Sequence, residues 1–598
     1  MAQRIEDYAL IGDLQTAALV GKDGSIDWLC LPRFDSAACF AALLGDEDNG
    51  HWRLAPAGAG TCTRRAYLED SLVLETLWET ESGTVKVIDF MPQRDKAPDV
   101  IRIVEGVSGT VEMRGVLRLR FDFGRVVPWM RRSGTSRRVA IAGPDSAWLR
   151  SEPPVKTYGH AFSTCSDFTV TEGERVAFVL TWHPSHKPRP KEHDPYRALE
   201  HSLADWRAWA RKCSHQGPYR EAVVRSLITL KALTYAPTGG IVAAPTASLP
   251  ESIGGVRNWD YRYCWLRDST LTLGALLSAG YQQEAADWRD WLLRAIAGDP
   301  ADLQIMYGIA GERRLPEYEL PWLAGFEGST PVRIGNSAVD QLQLDVYGEV
   351  IDSLHLARSA GLKDKPHAWN VQRRFMEFLE STWREPDEGL WEVRGPRRHF
   401  VHSKVMAWVA ADRAVRTLEA DPELDGDLDA WRTMRDEVHR EVCEKGFDAE
   451  RNTFTQSYGS AALDAATLLI PRAGFLPPDD PRVVGTVDAV ARELCHDGLV
   501  RRYSTEEDGD GTVDGIPGTE GAFLVCSFWL ADALCMTGRK KEGEELFQRL
   551  LSLRNDVGLL AEEYDPVARR MLGNFPQAFS HIGLVGTAHT LSDGNPAD

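Results

Sequence analysis

The sequence predicts a multidomain β plus α protein, with an N-terminal antiparallel β-sandwich followed by an (α/α)6 barrel. Roughly the first 180 residues alternate apolar and polar side chains with a period of two, which is typical of half-buried strands. From about Pro218 onward, apolar residues recur at i, i+3, i+4 and i+7, which is typical of helices. The domains are therefore predicted at 1–185 (sandwich), 186–217 (linker with a helix) and 218–598 (barrel).

The strand pattern is clearest at residues 111–123. There Val111, Met113 and Leu117 alternate with charged residues such as Glu112 and Arg114, so that one face is apolar and the other polar. Similar runs occur at 71–80, 84–90 and 175–182, the last two each after a glycine-containing turn. Many short strands separated by turn residues favour an antiparallel sandwich.

The linker and the helices follow in order. Residues 183–195 contain four prolines and several charges, which exclude regular structure, and a helix is predicted near 196–213. Twelve helical segments then suggest six antiparallel pairs that close into a barrel. They are predicted near 219–235, 267–280, 283–297, 336–360, 366–383, 402–418, 427–444, 459–468, 481–497, 519–537, 540–553 and 576–591. The long Gly/Pro/Trp-rich connections at 243–259 and 315–336 are the kind of loop on which sites are built.

Charge and composition exclude several classes of function. The net charge of −20 disfavours nucleic acid and anionic lipid as partners. With neither an apolar run of membrane-spanning length nor a leader-like N-terminus, we expect a cytoplasmic protein. The ten cysteines form no C-x-x-C pair and suit reduced thiols, in keeping with that compartment. The composition is also compatible with a homo-oligomer.

Cofactor and metal chemistry have no supporting motif. Neither G-x-G-x-x-G nor G-x-x-x-x-G-K-[ST] is present, so no nucleotide cofactor is expected. His399 and His402 lie outside any H-E-x-x-H pattern and are more often structural than ligating, so no metal is expected. A serine hydrolase is disfavoured because no G-x-S-x-G elbow occurs.

Three segments could carry carboxylate chemistry on a sugar. Residues 257–269 place Trp259 and Trp265 among charged residues that include Arg267 and Asp268, a mixture that suits the apolar faces and hydroxyls of a sugar. The alternative reading of that segment is an ion pair with a helix cap.

The other two segments supply candidate acids. Glu392 follows Trp391, whose ring would raise the carboxyl pKa as a general acid requires, although Arg394 would lower it, and a structural role stays open. Glu562 and Glu563 follow two leucines at 558–566, and the residues alone do not choose between them.

At residues 258–269, 389–395 and 559–565 the chain resembles glycoside hydrolase family 15, the glucoamylases and bacterial or archaeal trehalases. The opening segments 5–13 and 23–30, and the segments 304–309, 331–336 and 573–581, are similar to the trehalase-like members. The resemblance covers nearly the whole chain. It implies the same two-domain fold and inverting hydrolysis of a terminal non-reducing glucose.

The resemblance also assigns roles. It implies that Glu392 is the general acid, that Glu562 is the base, and that Arg267 with Asp268 holds the terminal glucose. Trp259, Trp265 and Trp391 are the implied pocket walls. Two departures are present: Val393 and Arg394 stand where fungal glucoamylases carry a second acid, and Glu563 replaces an amide, which leaves the base open to an error of one residue.

The predicted function is an inverting exo-acting α-glucosidase acting on a small saccharide, with α,α-trehalase slightly ahead of glucoamylase. Arg394 is a candidate ligand of the leaving sugar. Because Asp598 follows shortly after the last predicted helix, we expect no starch-binding module. A glycoside phosphorylase is the second class, disfavoured by the base carboxylate, and a sugar-binding protein without catalysis is the third, disfavoured by the presence of both acids.

Overall fold

The computed structural model describes residues 2–133, 137–363, 365, 367–504 and 514–593. Its N-terminal part is a sheet system of 15 strands, and each pairing in it is antiparallel. The strands are β1 (Tyr8–Gly12), β2 (Ala17–Gly21), β3 (Ser25–Cys30), β4 (Ala38–Phe40), β5 (His51–Pro56), β6 (Thr61–Tyr67), β7 (Leu74–Thr80), β8 (Gly83–Phe90), β9 (Asp99–Arg118), β10 (Trp129–Arg132), β11 (Arg137–Ala142), β12 (Asp145–Glu152), β13 (Thr157–His160), β14 (Ser163–Thr171) and β15 (Arg175–Pro184).

The long strand β9 organises this part of the molecule. Its first half pairs with β8 and β15, and its second half pairs with β5 and β14, so two groups of strands share it. Val111, Met113 and Leu117 are buried while Glu112 and Arg114 are exposed, as the alternation predicts. The predicted antiparallel β domain is confirmed, whereas its sandwich geometry stays a prediction.

The strand predicted at 111–123 ends earlier, at Arg118. Asp122 and Phe123 adopt positive φ values of 53°, which no strand can accommodate, and they form a turn with Gly124. The buried Phe123 side chain points into the interface with the helical part. The alternation of apolar and polar residues in the sequence continues past the end of the strand, because Phe121 and Phe123 are buried by tertiary contacts and not by the sheet.

In the part of the chain that the structure describes, twelve α-helices follow the sheets. They are α1 (Pro195–Ala210), α2 (Arg220–Ala232), α3 (Leu266–Ser278), α4 (Gln282–Ala295), α5 (Asp345–Ser359), α6 (Ala368–Thr382), α7 (Val401–Ala420), α8 (Leu428–Lys445), α9 (Pro481–Glu493), α10 (Leu524–Met536), α11 (Lys540–Ser552) and α12 (Ala578–Asp593). Short 3₁₀ helices lie at Ile5–Asp7, Ala42–Leu44, Glu47–Asn49, Pro300–Asp302, Phe326–Gly328, Ser337–Asp340 and Ala465–Leu469. Within the described residues, none of these helices is both long and apolar enough to cross a bilayer.

The helices after α1 form a closed double ring. The inner ring runs through α3, α5, α7, the 3₁₀ helix Ala465–Leu469, α10 and α12, and α12 packs against α3 to close it. Helices α2, α4, α6, α8, α9 and α11 lie outside this ring and pack against its members. This arrangement is the predicted (α/α)6 barrel. The helix α1 lies in the predicted linker.

One of the twelve predicted barrel helices is wrong. Residues 459–468 were expected to form an α-helix, but the structure has only the 3₁₀ helix Ala465–Leu469 at this position. Asp464 caps its start by accepting a hydrogen bond from the Ala466 N–H, and Pro471 follows closely. The segment between cap and proline is too short for a stable α-helix, whatever its apolar spacing.

Short antiparallel hairpins fill the loops at the end of the barrel where the helices α3, α10 and α12 begin. They comprise β16 (Thr234–Tyr235), β17 (Gly240–Ile241), β18 (Ala247–Pro250), β19 (Asn258–Asp260), β20 (Cys264–Trp265), β21 (Met306–Tyr307), β22 (Tyr318–Glu319), β23 (Arg333–Ile334), β24 (Phe447–Asp448), β25 (Thr453–Phe454), β26 (Cys495–His496), β27 (Leu499–Val500), β28 (Ala522–Phe523), β29 (Glu563–Asp565) and β30 (Arg570–Leu572). Several of these hairpins carry the candidate site.

Candidate active site

A cavity opens at this end of the barrel, with about 590 Å³ of empty space when the solvent at its mouth is included. It brings together segments that lie more than 300 residues apart, from β18 to α12. Six of the eight predicted site residues line it: Trp259, Arg267, Trp391, Glu392, Arg394 and Glu562. The other two, Asp268 and Trp265, contact residues that line the cavity.

The carboxyl group of Glu392 is held in a shielded corner of the cavity. Its backbone has φ of 58°, a left-handed conformation that is uncommon outside glycine and frequent at functional sites. The indole N–H of Trp265 donates a 2.6 Å hydrogen bond to Glu392 Oε1. Burial raises the pKa of Glu392, and the nearby Arg267 opposes this shift. Because Oε1 accepts from Trp265, an acidic proton would sit on Oε2.

Arg267 forms the charged floor of the cavity. Its Nε donates to Asp268 Oδ1 at 2.7 Å, and its Nη1 donates to the Leu390 carbonyl at 2.7 Å and lies 4.0 Å from Glu392 Oε1. The guanidinium also stacks over the Phe579 ring, with 5.0 Å between Cζ and the ring centroid. Asp268, buried behind it in the first turn of α3, thus fixes the orientation of a group that faces the cavity.

Glu562 lies on another side of the same cavity, in the loop before β29, and is almost completely buried. Burial and the nearby Glu251 carboxylate raise its pKa to about 8, whereas hydrogen bonds from the Tyr261 hydroxyl and the Asn574 N–H oppose the shift. The Asn574 N–H lies 3.3 Å from Oε2. Its neighbour Glu563 is turned away from the cavity and accepts from the Gly521 N–H at 2.8 Å.

Aromatic side chains form the walls. The Trp391 indole N–H donates to Asp464 Oδ1 at 2.8 Å, which fixes the ring beside Glu392. Trp259 lies beneath two guanidinium groups, with 4.2 Å from its ring centroid to Arg394 Cζ and 4.8 Å to Arg333 Cζ. Trp265, expected as a third wall, is instead the support of Glu392. Charged and aromatic side chains, among them Arg267 and Trp391, therefore line one end of the cavity. Two separate carboxyl groups, those of Glu392 and Glu562, face its interior.

Comparison with known proteins agrees with this geometry. Residues 217–589 match the family model for glycosyl hydrolases family 15, and residues 1–156 match the model described as trehalase-like, N-terminal. The chain belongs to glycoside hydrolase family 15. It is therefore a glycosidase.

Relatives of this family 15 hydrolase match it from end to end. It is 40% identical to the trehalase of Mycolicibacterium smegmatis and 35% identical to that of Thermoplasma volcanium. These matches cover 99% of this chain and 92% and 94% of the relatives. A bacterial glucoamylase solved with acarbose superposes with a TM-score of 0.73 at 11% identity, over 100% of this chain and 94% of that chain. That likeness is one of fold, and it confirms the domain order and the barrel.

The sequence patterns of this family 15 hydrolase do not predict every residue that lines the cavity, and two of the residues that they miss are buried and charged. Arg502 and Glu251 both line the cavity and both are buried. The Arg502 guanidinium stacks over the rings of Trp391, Tyr503 and Phe523, and its Nη2 lies 3.5 Å from Glu251 Oε2. Each is a single charged residue outside any motif, so only the tertiary structure brings it to the site.

The same region contains the one group of carboxylates, among the residues described, whose geometry could suit a metal ion. Oxygen atoms of Glu251, Glu520 and Glu563 lie within 4.8 Å of one another. Arg502 donates to Glu520 Oε2 at 2.6 Å, and Arg257 Nη1 lies 3.4 Å from the same oxygen. The two guanidiniums already supply positive charge there, so this cluster is better described as a buried ion-pair network behind Glu562.

Proposed function

We propose that this family 15 hydrolase is an inverting α,α-trehalase. The observation that carries the proposal is its similarity, over essentially its whole length, to proteins named trehalase, four of which are 34–40% identical to it. The cavity supports a small saccharide, because Arg267, held by Asp268, forms a charged wall beside Glu392 that can bind the hydroxyls of a terminal sugar. In this proposal the terminal glucose lies against Arg267.

The proposed acid is Glu392. Its raised pKa keeps it protonated closer to neutral pH than an exposed glutamate, and its Oε2 would give the proton to the oxygen that links the two sugars. The bond from that oxygen to C1 of the terminal glucose then breaks, and the leaving glucose departs with the proton. Trp265 and Arg267 hold the carboxyl group in place during this step.

The proposed base is Glu562. In its ionised form, which with a pKa of about 8 becomes the major form only above that pH, it would accept a proton from a water molecule that attacks C1 from the face opposite the leaving oxygen. The water oxygen forms the new bond to C1, so the product from the terminal sugar is β-glucose. The leaving glucose keeps its own α configuration, because none of its bonds to C1 is broken.

The distinguishing experiment offers trehalose, maltose, isomaltose and maltotriose to the enzyme, each with and without phosphate. We expect the highest kcat/KM on trehalose and, by proton NMR before mutarotation, equal amounts of new α- and β-glucose. A preference for maltotriose with no cleavage of trehalose would make the protein a glucoamylase. Glucose 1-phosphate formed only with phosphate would make it a phosphorylase, and Glu562→Gln serves as the inactive control.

A further inference from the structure

The strip of chain from Asn258 to Tyr263 has two faces. Trp259 and Tyr261 line the substrate cavity, whereas Asp260 and Arg262, the residues between and after them, are fully buried on the opposite side. This alternation is that of an extended strand, which begins here as β19. The contacts that fix Asp260 and Arg262 therefore also fix the positions of the Trp259 and Tyr261 side chains.

The N-terminal domain holds that second face. Arg262 Nη1 donates to the Ser36 carbonyl at 2.7 Å and lies 3.4 Å from that of Phe34, both in the segment after β3. The same guanidinium stacks on the Phe123 ring, at 5.3 Å from its centroid, in the turn after β9. Two separate segments of the β domain thus bind one side chain of the barrel.

Asp260 completes the attachment. Its carboxylate accepts from Arg262 Nε at 2.9 Å and from Nη2 at 2.7 Å, in a bidentate pair. It also accepts a hydrogen bond from the Gly335 N–H at 3.0 Å. Close to Gly335 in the chain, Arg333 stacks over Trp259 and Asn336 lines the cavity. The buried pair therefore joins the β domain, the strip and the loop at β23 at one point.

We propose that Arg262 is a positioning residue through which the N-terminal domain sets the geometry of the catalytic base. Tyr261, the neighbour of Arg262, places its hydroxyl against the Glu562 carboxylate. A shift of the strip would withdraw that hydroxyl from Glu562 while leaving Arg267 in place, because Arg267 is fixed by Asp268 and the Leu390 carbonyl. The effect on Glu392 should be smaller, because it reaches Glu392 only through Trp265, whose ring contacts that of Tyr261 at 5.1 Å between centroids. This inference rests on the proposed role of Glu562 as the base.

The charges around Glu562 determine the direction of the effect. The groups that face it are Glu251, Glu563, Arg502 and the Tyr261 hydroxyl. Tyr261 lowers the pKa of Glu562, so its withdrawal should raise that pKa and make the base ionise at higher pH. Because the base must be ionised to act, the low-pH limb of the kcat/KM profile should then move to higher pH.

Arg262→Lys and Arg262→Gln test the proposal, since neither side chain can span the Asp260 carboxylate and the Ser36 carbonyl together. We expect kcat to fall by about tenfold or more, with a smaller change in KM, and the low-pH limb to move upward. Phe123→Leu, which keeps the apolar volume and removes only the ring, should act in the same direction more weakly. It keeps the test usable if the Arg262 variants do not fold.

Arg225→Lys is the matched control. Arg225 also joins the barrel to the β domain through a carbonyl and a ring, at 3.0 Å from the Ser71 carbonyl and 4.0 Å from the Tyr67 ring centroid, but it lies on the outer helix α2. It should lower Tm without moving the pH profile. If the Arg262 and Phe123 variants likewise change only Tm, the proposal is overturned.

The assay uses whichever α-glucoside the wild-type enzyme cleaves best. The proposal concerns the base and not the leaving sugar, so a preference for maltose over trehalose would reject the proposed substrate and leave this test intact. Conversely, activity on trehalose with an unchanged pH profile in the Arg262 and Phe123 variants would reject only the positioning role.

Discussion

At the scale of single residues, two adjacent glutamates have different environments and different expected roles. Glu562 lines the cavity, whereas Glu563 faces Glu251 and Glu520 and lies outside the cavity lining. Burial and the neighbouring carboxylates raise the pKa of Glu563 well above its ordinary value, which favours its protonated form. A protonated glutamate and a glutamine have similar shape and charge.

The first prediction compares Glu562→Gln with Glu563→Gln. Loss of the base should lower kcat by about 10²–10⁴-fold, the usual contribution of general base catalysis. Glu563→Gln should change kcat by no more than about threefold, because Glu563 lies outside the cavity lining and an amide oxygen can still accept the hydrogen bond from the Gly521 N–H. Steady-state kinetics on the best substrate decides, with circular dichroism as the control for folding. Equal losses in both variants would move the base to Glu563.

The second prediction concerns Glu251, whose negative charge is the main electrostatic cause of the raised pKa of Glu562 after burial. Glu251→Gln removes that charge, while Arg502 stays paired with Glu520. The pKa of Glu562 should fall, so the base ionises at lower pH and the low-pH limb of kcat/KM moves down by roughly one pH unit. Glu319→Gln, at an exposed carboxylate of β22, is the control and should leave the limb in place. An upward shift in Glu251→Gln would contradict the argument.

The sequence predicts the residues of the site that lie in recognisable segments, and misses those that act alone. Arg267 and Glu392 each lie in a short segment with tryptophans, and their chemistry is readable from neighbours in the chain. Glu251 and Arg502 lie 251 residues apart and owe their function to each other and to the cavity. No local pattern encodes such a pair.

At the scale of elements, the 3₁₀ helix Ala465–Leu469 connects the scaffold to the site. Asp464, its cap, accepts both the Ala466 N–H and the Trp391 indole N–H at 2.8 Å through the same Oδ1 atom. The predicted α-helix at 459–468 would have carried Asp464 in its interior, where this double contact is not available. The apolar residues at 459–468 do have helical spacing, but the Asp464 cap and the proline at position 471 limit the segment to a short 3₁₀ helix.

The third prediction follows from that cap. Asp464→Ala should lower stability by roughly 0.5–2 kcal/mol, the usual effect of losing a cap, and should also lower kcat because Trp391 and the adjacent Glu392 lose their support. Asp464→Asn, which still accepts both hydrogen bonds, should restore most of the activity. Asp480→Ala removes the cap of α9, where the side chain accepts from the Arg482 N–H at 2.9 Å and touches no cavity residue.

Urea denaturation and steady-state kinetics measure the two effects of these cap variants separately. The Asp480 variant should lose stability and keep its kcat. If Asp464→Ala behaves in the same way, Trp391 does not depend on the cap, and the 3₁₀ helix has only a structural role.

Regular elements were the easier part of the fold to predict. The helices from α2 to α8 lie close to their predicted positions, because each buries one face against the ring and exposes the other. The exception is the start of α5, which was predicted at 336 and lies at Asp345, after the separate 3₁₀ helix Ser337–Asp340. The strand β9 was predicted from its alternation for the same reason. The turn at Asp122 and Phe123 was missed since its apolar residues are buried by the other domain and not by the sheet.

At the scale of the whole molecule, the barrel interior contains an unusual number of buried acids. Burial raises the pKa of Glu251 and Asp345 to about 7, of Glu562 to about 8, and of Asp387 and Asp464 to about 6. In the unfolded chain the same groups titrate near about 4. Between these values the folded protein binds more protons than the unfolded one.

The last prediction is that thermal stability falls as the pH rises from about 5 to 8. A carboxyl group whose folded pKa is raised stabilises the fold fully below its unfolded pKa and loses that contribution as the pH rises through its folded pKa. The five acids act in the same direction, so the negative slope should be steepest at about pH 5–6, where the groups are ionised in the unfolded chain and still protonated in the fold, and it should flatten towards about pH 8 as each folded pKa is passed. Differential scanning fluorimetry across this range measures the slope as Tm against pH.

Asp345 isolates one of these contributions. Its side chain is fully buried at the start of α5, and neither oxygen has a hydrogen-bond partner among the described residues. Asp345→Asn removes the charge that must otherwise form in this environment, so Tm should rise at pH 8 and change little at pH 4, where the wild-type group is already protonated in the fold. Asp340→Asn, at an exposed acid in the neighbouring 3₁₀ helix, should leave the curve parallel to that of the wild type. If the Asp345 curve also stays parallel, this buried acid does not set the pH dependence of stability, because a group that keeps its proton only in the folded state must change the slope when it is removed.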